Sequence, residues 1–187
     1  CGLSAGDSLT LYDLICGLLL QSGNDCAAAI AEHISGSQEA FAELMNTEAK
    51  QLGATGTHFV NPHGLHDENH YTTTYDLYLM FNEALKDQAF LDIISMNSYT
   101  AKVTSADGTS YTPTWQATNY YSAGEATPPD GIHVYGGKTG TTDQAGNCVI
   151  LYEKNTAGEP YISVIMGASD KPLLYEEMNE LLDAGMK

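Results

Sequence analysis

The chain has 187 residues, with 7 basic side chains against 24 acidic ones, so its formal net charge is −17 when histidine is neutral. The cations are all lysines and stand far apart, at positions 50, 86, 102, 138, 154, 171 and 187. A nucleic acid or an acidic membrane surface is bound by clustered positive charge, so this composition argues against both partners. With 43% hydrophobic residues the chain can bury one sizeable core, in one domain or at most two small ones.

The apolar stretches and the cysteines further limit the class of protein that the sequence can encode. The longest strongly apolar stretch, residues 14–20, has seven residues, whereas a membrane-spanning helix needs roughly 20. The cysteines are few and irregularly spaced, at positions 1, 16, 26 and 148, and no CxxC pair suggests a zinc site. We therefore expect free thiols rather than a disulfide scaffold, and no bound metal or cofactor.

The first half of the chain has helical periodicity. Thr10 and Asp13 resemble a capping box, and leucines and isoleucine then recur at helical spacing from residue 11 to residue 19. Three more helices are predicted at residues 25–35, 38–52 and 75–86, separated by Gly36 and by a polar loop over residues 53–73. In the helix at 38–52 we expect four apolar side chains to face inward: Phe41, Leu44, Met45 and Leu52.

The second half changes to a period of two. Residues 99–104 and 109–114 flank a turn at 106–108, and residues 148–154 and 161–168 flank a turn at 155–158. A closing helix is predicted at residues 172–183. Helices followed by strands and one final helix predict an α+β fold, with helices packed on an antiparallel sheet.

A glycine-rich segment contains Gly136, Gly137, Lys138, Thr139 and Gly140. Glycines without a Cβ let a ligand approach the backbone closely. Lys138 has no acidic residue nearer in sequence than position 143, so it can offer its ammonium group to an anion. Taken alone, the segment is also compatible with a glycine-rich hairpin that carries a solvated lysine.

A second polar motif, Ser22-Gly23-Asn24, separates the first two predicted helices. Alone, it is most simply a helix N-cap, for which Ser and Asn are preferred residues. A Ser-x-Asn motif followed more than a hundred residues later by Lys-Thr-Gly is, however, the pair that penicillin-recognising serine enzymes use.

With these motifs in this order, the sequence resembles the low-molecular-weight D-alanyl-D-alanine carboxypeptidases, the serine-type penicillin-binding proteins. The similarity runs through residues 3–7, 17–25, 31–33, 59–65, 137–140, 145–146 and 181–185, which together extend over nearly the whole chain. The resemblance implies a β-lactamase/transpeptidase-like fold, with a mainly helical part at residues 1–98 and a sheet part at 99–187. It also implies a location outside the cytoplasmic membrane, where peptidoglycan is.

The resemblance assigns roles to six residues of an acyl-enzyme hydrolase that acts on peptidoglycan stem peptides ending in D-Ala-D-Ala and is a target of β-lactam antibiotics. Ser22 would relay a proton, and Asn24 would bind the acyl side of the substrate. Lys138 and Thr139 would hold the terminal carboxylate beside Gly140. The backbone N–H of Thr141 would donate a hydrogen bond to the oxyanion.

One motif of the family does not occur in the sequence. The family's nucleophile lies in a Ser-x-x-Lys motif, in which the amine deprotonates the hydroxyl one helical turn away. The nearest pattern here is Thr47 with Lys50, which follows the Ser-x-Asn motif instead of preceding it. We therefore expect the C-terminal part of a catalytic domain without its first sheet strands, inert alone, with exposed apolar surface that favours self-association.

Three alternatives remain open on the sequence. Residues 6–9 spell a GDSL esterase signature, with Ser8 as nucleophile and Asp67 and His70 as partners. Four histidines at positions 58, 63, 66 and 70 could suggest a metal site, although their spacing defines no ligand geometry. A relative that binds cell-wall peptide without cleaving it would satisfy the same motifs.

Overall fold

The computed structural model describes residues 1–185, which form seven helices and seven strands. The first five helices are α1 (Leu11–Gln21), α2 (Asn24–Ser35), α3 (Gln38–Gln51), α4 (Thr74–Ala84) and α5 (Gln88–Ile94). Four short strands follow: β1 (Ser98–Thr100), β2 (Val103–Thr104), β3 (Ser110–Tyr111) and β4 (Thr114–Gln116). The chain continues with α6 (Tyr120–Ala123), β5 (Ile132–Thr142), β6 (Gly146–Asn155), β7 (Pro160–Ala168) and α7 (Lys171–Gly185).

The capping box predicted at the start of α1 is confirmed. The Thr10 side chain accepts a hydrogen bond from the Asp13 N–H, and the Asp13 carboxylate accepts one from the Thr10 N–H. The same carboxylate also accepts a hydrogen bond of 2.7 Å from the hydroxyl of Tyr99 on β1. The cap therefore fixes the helix start and ties it to the first strand.

The larger sheet is antiparallel, in the order β5-β6-β7, with β6 central among the described strands. Its two faces alternate along β6 with the period of two that the sequence indicates. Val149 and Leu151 pack with the inward side of α7, while Ile150 packs with Phe81 of α4 and Ile94 of α5. The sheet is thus covered by the last helix on one face and by α4 and α5 on the other.

The predicted hairpin around residues 106–108 is also confirmed, although its strands are interrupted. Tyr99 pairs with Trp115 and Val103 pairs with Tyr111, in one continuous register. Pro113 has no backbone N–H to donate, and only its carbonyl accepts, from Ala101. The ladder therefore divides into β1-β4 and β2-β3.

Three parts of the fold differ from the sequence analysis. The glycine-rich segment lies within β5, for which no strand was predicted, and α5 and α6 were also missed. The expectation that Leu44 faces inward is wrong, since it is 50% exposed. The buried residues of α3 are Ala42 and Ala49, small side chains that suit close packing against neighbouring elements.

No helix within residues 1–185 is long and apolar enough to cross a membrane.

Glu153 is a buried carboxyl group on the α7 side of the sheet. Its side chain is 1% exposed, and Ser163 Oγ donates a hydrogen bond of 2.6 Å to Oε1. Oε2 has no hydrogen-bond partner among the described residues. Burial raises the pKa of Glu153 to about 7, so the proton is held in the folded state over a range in which the unfolded chain releases it.

We expect the Glu153→Gln variant to remove a pH-dependent loss of stability. Since the folded pKa is the higher one, the unfolding free energy of the parent falls as pH rises from about 4.5 to about 7 and stays lower above it. The advantage of the variant over the parent should grow by roughly 2 kcal/mol between about pH 5.5 and pH 8, measured by urea unfolding. Glu176→Gln, an exposed change on α7, is the control, and an equal advantage of Glu153→Gln at both pH values would contradict the expectation.

Candidate active site

The turn between α1 and α2 presents Ser22 in an unusual backbone conformation. Ser22 has φ 56° and ψ 43°, and it is the one non-glycine residue with positive φ in the described part of the chain. This left-handed conformation costs an L-residue roughly 1–2 kcal/mol and is found mainly where function requires it. The N-cap of α2 is Gly23, so the interpretation of Ser22 as a helix N-cap is wrong. The Ser22 side chain lies instead at the edge of a cleft between this turn and the strand β5.

The strand β5 brings the glycine-rich segment next to the turn that carries Ser22. A register shift between Val134 and Gly136 interrupts its pairing with β6. At Gly136 the strand passes so close to the end of α5 that a Cβ would lie 1.8 Å from the carbonyl oxygen of Ile94. Gly137 would likewise meet the backbone of β6, at 2.0 Å from the oxygen of Ile150. Two glycines are therefore required for β5 to lie where it positions the next residue, Lys138.

Lys138 and Ser22 are in direct contact across this cleft. Lys138 Nζ donates hydrogen bonds to Ser22 Oγ at 2.5 Å and to the carbonyl oxygen of Thr139 at 2.6 Å. No carboxylate within residues 1–185 forms an ion pair with this ammonium. Burial lowers the pKa of Lys138 to about 8, so the group remains mostly charged at neutral pH while it is poorly solvated. A partly buried cation without an ion-pair partner is suited to binding an anionic ligand.

The cleft has a volume of about 540 Å³ and contains all six residues that the sequence analysis selected. Asn24 begins α2 and is exposed to the cleft. The Thr139 hydroxyl shares a hydrogen bond of 2.7 Å with the Thr118 hydroxyl, and Thr141 Oγ1 donates one of 3.2 Å to Asn147. Gly140 leaves open space, since a Cβ there would meet nothing within 4 Å. The geometry brings both motifs together, whereas the role of each residue stays a prediction.

Several lining residues were not selected from the sequence. A loop segment contributes His63 and Leu65, and the β-rich half contributes Thr118 and Lys171. The loop lies within residues 59–65, which already carried the family resemblance and could have indicated this position. Thr118 lies just after the short strand β4, and no sequence motif marks it. Only the fold therefore reveals its hydrogen bond with Thr139 of the Lys-Thr-Gly segment.

The competing sites are not assembled in the structure. Ser8 forms a backbone bridge with Thr104, with hydrogen bonds of 2.8 and 3.0 Å, whereas His70 packs on Phe59 and accepts a hydrogen bond from the Val60 N–H. The four histidines of the 53–73 loop do not form a group of three ligand atoms in the described residues. On α3, Thr47 donates its hydroxyl to the carbonyl oxygen of Glu43, and it does not line the cleft.

Comparison with solved structures defines the fold. The crystal structure of the Streptomyces K15 DD-transpeptidase superimposes with a TM-score of 0.89 at 28% sequence identity, over 99% of this chain and 71% of that one. The D-alanyl-D-alanine carboxypeptidase from Mycobacterium tuberculosis superimposes with a TM-score of 0.80 at 27% identity, over 95% of this chain and 64% of that one. The α+β, β-lactamase/transpeptidase-like fold expected from the sequence is confirmed.

Comparison of sequences then gives the family. The family model described as D-alanyl-D-alanine carboxypeptidase matches residues 2–170. The carboxypeptidase DacF of Bacillus subtilis is 31% identical over 97% of this chain, and DacC of Escherichia coli is 31% identical over 99% of it. This chain belongs to the D-alanyl-D-alanine carboxypeptidase family. It spans 44% and 43% of the lengths of these two relatives.

Proposed function

We propose that this chain carries the Ser-x-Asn and Lys-Thr-Gly parts of the active site of a serine-type D-Ala-D-Ala carboxypeptidase, which trims peptidoglycan stem peptides through an acyl-enzyme. The observation that carries the proposal is the hydrogen bond between Lys138 Nζ and Ser22 Oγ, inside a cleft lined by Asn24 and Thr139. Two segments more than a hundred residues apart meet there at hydrogen-bond distance. The parent protein would work outside the cytoplasmic membrane and would be acylated by β-lactams.

The direction of this hydrogen bond suits a proton relay. A charged ammonium can only donate, so Ser22 Oγ accepts from Lys138 and keeps its own proton available for another acceptor. In the proposed reaction that proton goes to the leaving amine of the substrate. The general base that took the nucleophile's proton then gives it to Ser22, which makes Ser22 a relay and not the nucleophile.

The substrate's terminal carboxylate would be bound by the Lys-Thr-Gly segment. Lys138 supplies the positive charge, and the Thr139 hydroxyl, held by Thr118, supplies a fixed hydrogen bond. Gly140 leaves the space that the substrate backbone needs. A charge-assisted hydrogen bond to a poorly solvated cation is stronger than one between neutral groups. The backbone N–H of Thr141 would stabilise the oxyanion beyond it.

The nucleophile is the part of the proposal that this chain does not supply. The sequence contains no Ser-x-x-Lys pattern. We propose that the serine and its lysine base belong to a part of the parent protein outside these 187 residues. The self-association expected from the sequence stays a prediction, for which the edge strand β7 and the exposed Leu44 are candidate contacts.

Peptide binding at two pH values tests the proposed carboxylate site. A peptide ending in D-Ala-D-Ala should bind about tenfold more weakly at pH 9 than at pH 7, because a lysine with a pKa of about 8 loses most of its charge in that interval. The measurement is a titration followed by NMR chemical shifts. The same peptide with a C-terminal amide is the control and should bind weakly at both pH values. Equal binding of acid and amide would contradict the assignment of Lys138.

A further inference from the structure

A second cluster of reactive side chains lies next to the turn that carries Ser22, and none of its members lines the cleft. The thiols of Cys1 and Cys26 and the carboxylate of Asp25 each have a ligand atom within 4.8 Å of the other two. We propose that these three side chains form a binding site for one thiophilic divalent cation, of the class of Zn²⁺. The proposal is independent of the catalytic function, since none of the three residues lines the cleft.

Two glycines leave the space in which the three ligand atoms converge. A Cβ at Gly23 would lie 2.5 Å from Cys1 Sγ, 2.9 Å from Asp25 Oδ1 and 3.0 Å from Cys26 Sγ. A Cβ at Gly17, on α1, would lie 2.7 Å from Cys26 Sγ and 3.0 Å from Cys1 Sγ. Any larger side chain at either position would displace the sulfur atoms. The turn and α1 therefore form a cradle around two sulfurs and one oxygen.

The local backbone already holds the carboxylate in place. Asp25 Oδ1 accepts a hydrogen bond from the Cys26 N–H at 2.9 Å, and Oδ2 accepts one from the Leu3 N–H at 3.0 Å. These contacts fix the orientation of the carboxylate, as outer-shell hydrogen bonds do in metal sites. A preoriented ligand loses less entropy when an ion binds.

Burial gives the cluster a closed interior and one open side. The side chain of Cys1 is 0% exposed and Cys26 is 0% exposed, whereas the side chain of Asp25 is 29% exposed. An ion can therefore enter past the carboxylate, and a water molecule can complete a tetrahedral set from the same side. Two thiolates and one carboxylate suit Zn²⁺, while Mg²⁺ and Ca²⁺ prefer oxygen ligands alone.

Binding would release two protons, one from each thiol, and would link the start of the chain to α1 and α2. The thiolate form is the metal ligand, so each cysteine gives up its proton when the ion binds. A bound ion would fix the turn that holds Ser22 in its left-handed conformation.

The test is a Co²⁺ titration of the full chain after reduction with a phosphine and removal of the reductant. We expect one equivalent to bind, with a near-ultraviolet thiolate-to-cobalt absorption band, two protons released, and displacement by one equivalent of Zn²⁺. Cys1→Ala and Cys26→Ala should each weaken binding by more than about 100-fold, and Asp25→Asn by at least about tenfold. Cys148→Ala, which alters a thiol outside the cluster, is the matched control and should bind as the parent does.

A second measurement needs no variant and therefore does not depend on whether the variants fold. Native mass spectrometry of the unaltered, reduced chain should show one bound Zn²⁺ per molecule, and prior alkylation of the partly exposed Cys148 should leave that stoichiometry unchanged. Any of three results would overturn the proposal: no stoichiometric binding by the reduced chain, a Cys1–Cys26 disulfide as the sole product under mild oxidation with no metal binding beforehand, or a cobalt spectrum that persists in Cys26→Ala.

Discussion

The Gly136→Ala variant is expected to be strongly destabilised. The added Cβ would lie 1.8 Å from the carbonyl oxygen of Ile94, 2.6 Å from its carbon and 3.2 Å from the Ser95 nitrogen. All three atoms belong to the backbone at the end of α5, so no side-chain rotation relieves the overlap. Either α5 or β5 must move: α5 contributes Phe90 and Leu91 to the packed core around Ile94, and β5 is paired along its length with β6. We expect a loss of at least about 4 kcal/mol, a large part of a typical domain's stability.

Gly140→Ala provides a matched control on the same strand. A Cβ at Gly140 would meet nothing within 4 Å, so its unfolding free energy should stay within about 0.5 kcal/mol of the parent value. Circular dichroism during urea unfolding measures both variants. A cooperative transition of Gly136→Ala near that of the parent would show that β5 does not approach α5 as closely as described.

The Lys138→Ala variant should separate function from stability. In a protein that contains both this chain and a Ser-x-x-Lys segment, we expect the second-order rate of acylation by benzylpenicillin to fall about 10²–10³-fold, the usual effect of losing one preorganised donor. The variant loses both the cation of the carboxylate site and the donor to Ser22 Oγ. Its unfolding free energy should not fall, because an unpaired buried cation is itself unfavourable.

Lys102→Ala, an exposed change on the loop between β1 and β2, is the control for loss of positive charge. It should leave the acylation rate unchanged. Acylation of Lys138→Ala at the parent rate would show that Lys138 is not part of the active site. A parallel loss of stability and acylation in Lys138→Ala would mean that the lysine is structural.

The sequence predicts the elements whose pattern is long and regular. The capping box at Thr10 and the leucine spacing identify α1. The apolar run at residues 148–152, followed by the turn at 155–158, identifies β6. The family resemblance adds the six site residues, which the fold brings into one cleft. Neither motif alone predicts this meeting, since a hundred residues separate them.

The elements that were missed lack such a pattern. The strand β5 is rich in glycine, which weakens any strand signal. Gly136 and Gly137 are explained only by the backbones that they pass in the fold, those of α5 and β6 respectively. The helix α5 has seven residues, fewer than a periodic pattern needs. Serine rarely adopts the left-handed backbone conformation that Ser22 has, so its sequence could not predict it. Local conformational preferences are expected to fail mainly at functional sites. Leu44 follows the helical pattern of its neighbours yet is exposed.

The most direct test of the proposed function is intact-mass spectrometry after incubation with benzylpenicillin. The account predicts no covalent adduct on the 187-residue chain, and one adduct per molecule on a longer parent protein that also contains a Ser-x-x-Lys segment. A stoichiometric adduct on the 187-residue chain would contradict it, because a nucleophile would then lie within residues 1–187. Absence of an adduct on the longer protein as well would favour a relative that binds cell-wall peptide without cleaving it.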